Sequence, residues 1–321
     1  RAETGIKMVR VTIPLVSDQE IHDETAEPIR CWKLAIQGRS NEAEENMTTV
    51  QVQTKSDQRI DPYPSRVATV SEVIERQDPV LYRQWSEGAP LSQADCEYYQ
   101  SNGFIVLEEF FKSDEVAVSQ AETERLAQDT TIVGRDETIT EPGSRAVRSI
   151  FDIHGLSPVF STFAKGARLA DIARFLLDDD VYLHQSRLNY KPGFRGKEFY
   201  WHSDFETWHV EDGMPRMRAV SMSITLSENN EFNGPLILIP ASHYSYLTCV
   251  GRTPEDHYKQ SLKKQDYGVP DDDSLANLVS RGGLVAPKGG PGSLIIFDCN
   301  TMHGSNGNIS PLSTSQCLLR L

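Results

Sequence analysis

Two histidines and one aspartate set the chemistry open to this chain. His202 and Asp204 stand two residues apart in Phe199-Tyr-Trp-His-Ser-Asp-Phe-Glu-Thr-Trp-His209. On an extended strand that spacing sends both side chains out of one face, where they can grip one cation. A second imidazole, His303, recurs far downstream in Cys299-Asn-Thr-Met-His-Gly-Ser305, just after the apolar run 294–297. Two imidazoles and a carboxylate on one face of an octahedron leave positions open on the metal, as in the non-haem Fe(II) oxygenases. Those positions are where a co-substrate and dioxygen can bind. His-X-Asp also arises by chance, so the residues alone leave two readings, a shared metal triad or three unrelated polar side chains.

The elements that must position these groups are read from hydrophobic periodicity. As a strand, 184–191 places Gln185, Arg187, Asn189 and Lys191 on one face and His184, Ser186, Leu188 and Tyr190 on the other. Four polar side chains on one face is unusual for a buried strand, and solvation of that face is the alternative. Residues 220–227 alternate cleanly, and 234–240 and 292–298 are compact apolar runs bounded by Gly and Pro. Upstream, 92–102 and 113–128 read as helices, each opened by a serine able to cap, with a short strand at 103–107 between them. The Gly/Pro/Arg-rich stretch 134–148 reads as a loop and 158–177 as helical. Short strands with long connections and no βαβ alternation predict a mainly β fold, an antiparallel sandwich or barrel with flanking helices. No P-loop or GxGxxG turn offers a nucleotide cradle.

The 321 residues carry 32 Lys+Arg against 46 Asp+Glu, a net charge of −14. That balance disfavours nucleic acid and anionic membrane surfaces and leaves a small-molecule substrate as the expected partner. The longest apolar runs fall far short of the roughly 20 residues of a membrane span. Five scattered cysteines without CxxC pairs fit a reducing, cytoplasmic setting. Residues 1–60 read as a disordered or non-native extension, with Met47 as an alternative start, and 61–321 as a single domain. Asp61-Pro-Tyr-Pro-Ser65 is turn chemistry, with folded structure expected from near Val67.

The string His202-Ser-Asp-Phe-Glu-Thr-Trp208-His-Val-Glu-Asp-Gly-Met-Pro215 resembles the ectoine hydroxylases, a group within the phytanoyl-CoA-dioxygenase-like Fe(II)/2-oxoglutarate oxygenases. His184-Gln-Ser-Arg-Leu-Asn-Tyr-Lys-Pro192, Thr253-Pro-Glu-Asp-His-Tyr-Lys-Gln-Ser-Leu-Lys-Lys-Gln265 and Met302-His-Gly-Ser-Asn306 extend the likeness over roughly 61–311. It implies a double-stranded β-helix (jelly-roll, cupin-like) core. It also implies hydroxylation of ectoine to 5-hydroxyectoine, with 2-oxoglutarate and O₂ consumed and succinate and CO₂ released. By that resemblance His202, Asp204 and His303 hold Fe(II), while Lys191, Asn189, Phe199 and Ser305 line the 2-oxoglutarate pocket. Gln185, Trp208 and Phe297 contact ectoine, and a homodimer is an expected state. Trp208 and Phe297 are also large enough to be plain core residues.

The tail departs from the pattern. The family continues into a strand whose Arg pairs with the distal carboxylate of 2-oxoglutarate, followed by an Asn and a Phe that touch substrate. Here Thr314 stands where that Arg is expected, and Arg320 comes six residues late, as if on a different backbone path. A last strand truncated or frame-shifted after Pro311 is therefore expected. Suitable codons for 312–321, read one base later, encode Ser-Pro-Arg-Pro-Asn-Ala-Phe-Phe-Val-Tyr, which restores Arg, Asn and Phe in order. The competing functions are an oxygenase acting on another small molecule and an inactive ectoine- or metal-binding relic lacking the Arg.

Overall fold

The computed structural model describes residues 61–141, 143–251 and 268–321. The extension 1–60 and the 253–265 segment lie outside them. Among the described residues twelve strands run in chain order: β1 (Val73–Glu75), β2 (Phe104–Leu107), β3 (Thr138–Thr140), β4 (Val147–Phe151), β5 (Gln185–Lys191), β6 (Phe199–His202), β7 (Val220–Thr225), β8 (Leu236–Leu238), β9 (Ser245–Leu247), β10 (Leu294–Asp298), β11 (His303–Ser305) and β12 (Thr314–Arg320). Seven form one antiparallel sheet in the order β2-β10-β7-β12-β5-β4-β3, three a second in the order β6-β11-β8, and β1 pairs with β9.

Strand alternation assigns the two faces of the large sheet. Leu188, Met222, Ile224, Ile296, Cys317 and Leu319 lie in the main core with apolar residues of the helices Gln93–Asn102, Ser113–Gln128, Pro158–Ala164 and Ala167–Leu177. Burying each such side chain contributes about 1.5–3 kcal/mol. The opposite face looks toward the small sheet, and Phe104, Ile295 and Phe297 pack there on Leu236 and Leu238. Two facing antiparallel sheets with helices outside make the double-stranded β-helix expected from the sequence. No helix among the described residues is long and apolar enough to cross a membrane.

Several local expectations are corrected. Residues 134–148 are no simple loop, since β3 and β4 pair as an antiparallel ladder at its end. The helical stretch 158–177 is two helices, separated at Lys165 and Gly166. Ser92 caps its helix and accepts from Asp95 N–H, whereas Ser113 is already inside the next helix. Lys112 takes the cap position there and Glu115 accepts its N–H at 2.9 Å. Folded structure starts before Val67: Tyr63 is fully buried and its hydroxyl donates to Asp78 at 2.9 Å.

One correction bears on the site. Asp204 is not on a strand with His202. It opens the helix Asp204–Asp212, capped by Ser203, whose Oγ accepts from Glu206 N–H, and closed by Gly213 at φ 72°. Acidic residues in that first turn suit the positive end of the helix dipole. The tail after Pro311, expected to be truncated or frame-shifted, forms the seven-residue strand β12, paired on both edges.

Candidate metal and co-substrate site

The site lies between the two sheets. In β5 and β12 the odd and even residues face each other in register, Arg187 opposite Leu318, Asn189 opposite Gln316 and Lys191 opposite Thr314. A cavity there is lined by Arg187, Asn189, Lys191, Gln316, Leu318 and Arg320 from the large sheet. Phe199, His202, Leu236, His303 and Ser305 close it from the small one, with Phe297 of β10 alongside.

His202 ends β6 and stands opposite His303 of β11 in the antiparallel register, which is how residues far apart in the chain meet. Their ring centroids are 4.2 Å apart. Each imidazole is oriented from behind. His202 Nδ1 lies 2.7 Å from Tyr200 O and His303 Nδ1 2.9 Å from Thr301 O, which assigns the proton to Nδ1 and leaves the Nε2 lone pair facing inward. Those Nε2 atoms lie 4.0 and 3.9 Å from Asp204 Oδ1. All three ligand atoms lie within 4.8 Å of one another, close enough to share one ion.

The electrostatics suit a metal. Burial depresses both imidazoles below their ordinary value, His303 to about 3 with help from the neighbouring His202, so both are neutral ligands at neutral pH. Burial alone would raise the Asp204 carboxyl, but the charge of Arg320, then His303 and His202, and the Ser221 hydroxyl hold it below the usual carboxylate range. Ser221 Oγ donates to Asp204 Oδ2 at 2.8 Å, and Arg320 Nη2 lies 3.2 Å from the same oxygen. Oδ1 therefore faces the imidazoles while Oδ2 is tied to protein.

The cavity also suits an anion. Phe199 carries Arg148 at 3.8 Å from its ring centroid, Lys191 at 5.1 Å and Arg187 at 5.8 Å. Arg187 Nε and Arg320 Nε and Nη1 are buried without a hydrogen-bond partner, donors of the kind a carboxylate satisfies. Lys191 lines the cavity but is already engaged. Its Nζ donates to Ser305 Oγ at 2.8 Å, to Lys197 O at 3.0 Å and to Asn306 O. Burial, followed by the charge of Arg148, pushes it down to about 7. Gly234, at φ 77°, leaves room for the Lys191 stem, which a β-carbon there would meet at 2.7 Å.

His202, Asp204, His303, Lys191, Asn189, Phe199, Ser305 and Phe297 thus converge on one place. Phe297 is fully buried with its ring 4.8 Å from that of His303. Trp208 and Gln185 are set apart from the cavity wall. Trp208 is buried in an apolar cluster with Tyr63, Phe205 and Met217, its ring 5.0 Å from His184. Gln185 begins β5, opposite Arg320. Ser221, Gln316 and the Arg320 contact with Asp204 were missed from sequence. Period-2 parity along 314–320 puts Gln316 and Arg320 on the Thr314 face and could have found two of them.

Residues 99–313 match the family described as phytanoyl-CoA dioxygenase (PhyH). The chain is 58% identical over 259 residues to an ectoine dioxygenase of Sphingopyxis alaskensis, covering 81% of this chain and 85% of that protein. It is 49% identical over 253 residues to an ectoine dioxygenase of Halomonas elongata, covering 78% and 76%. Among solved structures it resembles EctD from S. alaskensis with 2-oxoglutarate and 5-hydroxyectoine, at a TM-score of 0.74 and 53% identity, covering 81% of this chain and 86% of that one. The same enzyme with bound Fe gives a TM-score of 0.73 over 81% and 86%, also at 53% identity. A His-Asp-His cluster on the paired strands β6 and β11 and the helix that follows β6, in a chain matched over most of its length, places this protein in the phytanoyl-CoA dioxygenase family, in the group that contains the ectoine dioxygenases.

Proposed function

We propose that this chain is an Fe(II)- and 2-oxoglutarate-dependent dioxygenase that hydroxylates ectoine to 5-hydroxyectoine. The observation that carries the reading is the convergence of His202, Asp204 and His303 beside a cationic cavity, in a chain 58% identical to an ectoine dioxygenase. His202 Nε2, His303 Nε2 and Asp204 Oδ1 would hold the metal. Bound iron, with 2-oxoglutarate and O₂, supplies the oxidising power for hydroxylation, succinate and CO₂ being the by-products. The protein's own part is orientation and shielding. The backbone carbonyls of Tyr200 and Thr301 fix the imidazole tautomers, and Ser221 fixes the carboxylate. Asn189, Phe199, Lys191 and Ser305 would receive 2-oxoglutarate, with Arg187 and Arg320 adding donors. Of the ectoine contacts that the resemblance implies, Phe297 borders the cavity, while Gln185 and Trp208, set apart from its wall, are proposed on the resemblance alone. The cytoplasm is the proposed setting, which suits the four described cysteines, all free and buried.

The test is succinate formation from 2-oxoglutarate with Fe(II) and O₂, with and without ectoine. Ectoine-dependent succinate that disappears in Asp204→Ala supports the reading. Succinate that follows a different small zwitterion replaces the substrate. Ligand binding without turnover, cured by the tail Ser-Pro-Arg-Pro-Asn-Ala-Phe-Phe-Val-Tyr, identifies this chain as a damaged copy.

A further inference from the structure

Arg320 is the largest fully buried side chain among the described residues and stands directly behind a metal ligand. Its Nη2 lies 3.2 Å from Asp204 Oδ2, with the guanidinium 1% and the carboxylate 9% exposed. Its other two donor positions, Nε and Nη1, have no hydrogen-bond partner among the described residues, so this is not a fully satisfied salt bridge. The placement is dictated by register. On β12, Arg320 is opposite Ser221 of β7, and both side chains reach Asp204 Oδ2. The backbone cannot release it, because its carbonyl accepts from His184 N–H at 2.8 Å and the next residue exchanges hydrogen bonds with Val220. Arg187 faces the same cavity from β5, its Nε buried with no hydrogen-bond partner among the described residues. The Asp204 carboxylate thus already serves a fixed cation before any metal arrives.

We propose that Arg320 is a built-in competitor of the metal, a positioning residue that gives Asp204 the positive charge it would otherwise receive from the ion and so holds metal affinity down. The inference rests on the reading of His202, Asp204 and His303 as the metal site. A divalent ion at Oδ1 would sit one carboxylate away from a guanidinium that cannot move into solvent, and the two repel in a water-poor interior. Removing the charge while keeping Ser221 on Oδ2 leaves the carboxylate oriented and frees its charge for the ion. The alternate-frame tail, which carries Val at 320, would do the same.

The test is Mn(II) affinity of the full chain without co-substrate, by electron paramagnetic resonance titration. Arg320→Met and Arg320→Gln remove the charge with an apolar and a polar side chain, and Arg320→Lys keeps it. Both neutral variants are expected to bind Mn(II) at least about tenfold more tightly, while Arg320→Lys stays near the starting value. Metal-free neutral variants should melt lower than the parent, and Mn(II) should raise their melting temperature by more. Neutral variants that bind no more tightly than the parent overturn the proposal, as does an equal gain in Arg320→Lys, which would assign the effect to packing. Asp204→Ala separates the two readings: Mn(II) binding that survives it unchanged removes the metal from the triad itself.

Discussion

Each ligand atom of the triad is presented by a specific neighbour, which makes the single-residue consequences definite. His303→Ala leaves two ligands, and Mn(II) titration should show binding weakened by two orders of magnitude or about that, with ectoine-dependent succinate lost. Lys191 carries a pH dependence. Its folded-state value of about 7 is depressed, so its ammonium is destabilising in the fold. Between that value and its ordinary one the unfolded chain holds the proton and the folded chain does not, so this group makes stability rise with pH above neutrality. A dicarboxylate needs the charged form, so 2-oxoglutarate affinity measured by calorimetry should fall as pH rises through about 7. Lys191→Met should bind weakly and without that slope. The candidate metal ligands were legible from sequence, because a cation demands particular donors whatever the fold, whereas the co-substrate residues came from the resemblance. The engagement of all three Lys191 protons was not, since two of its acceptors are backbone carbonyls that any residue would offer.

The elements divide the same way. Alternation in β5 and β7 was readable because each has one apolar face on the helical core and a polar face opposite, which imposes period 2 on the sequence. Asp204 was misplaced because a two-residue spacing also fits a strand end followed by the first residue of a helix, and only the Ser203 cap decides between them. Ser203→Ala should therefore cost about 1 kcal/mol of stability in urea unfolding and also weaken Mn(II) binding, since the cap fixes where Asp204 points. Leu319, almost fully buried on the core face of β12, tests the last strand. Leu319→Ala should cost about 2–5 kcal/mol. A negligible cost would mean that the tail does not occupy the sheet.

At the scale of the molecule, the chain before the first strand is tied to the helix that bears Asp204. Ser65 Oγ donates to Glu206 at 2.6 Å, and Arg66 reaches the same carboxylate at 2.9 and 2.6 Å, all buried. Glu206→Ala leaves the guanidinium short of its main partner and should cost about 3 kcal/mol in urea unfolding, with Glu211 still engaged. The sequence by itself determined the ligand types, the strand faces and the mainly β class, because donor chemistry and side-chain period are local properties of the chain. Only the tertiary structure brought His303 opposite His202, set Trp208 in an apolar cluster away from the cavity and pressed Arg320 against Asp204. Those meetings are fixed by the register and pairing order of strands far apart in sequence, and a buried charge is defined by whatever the fold places across from it.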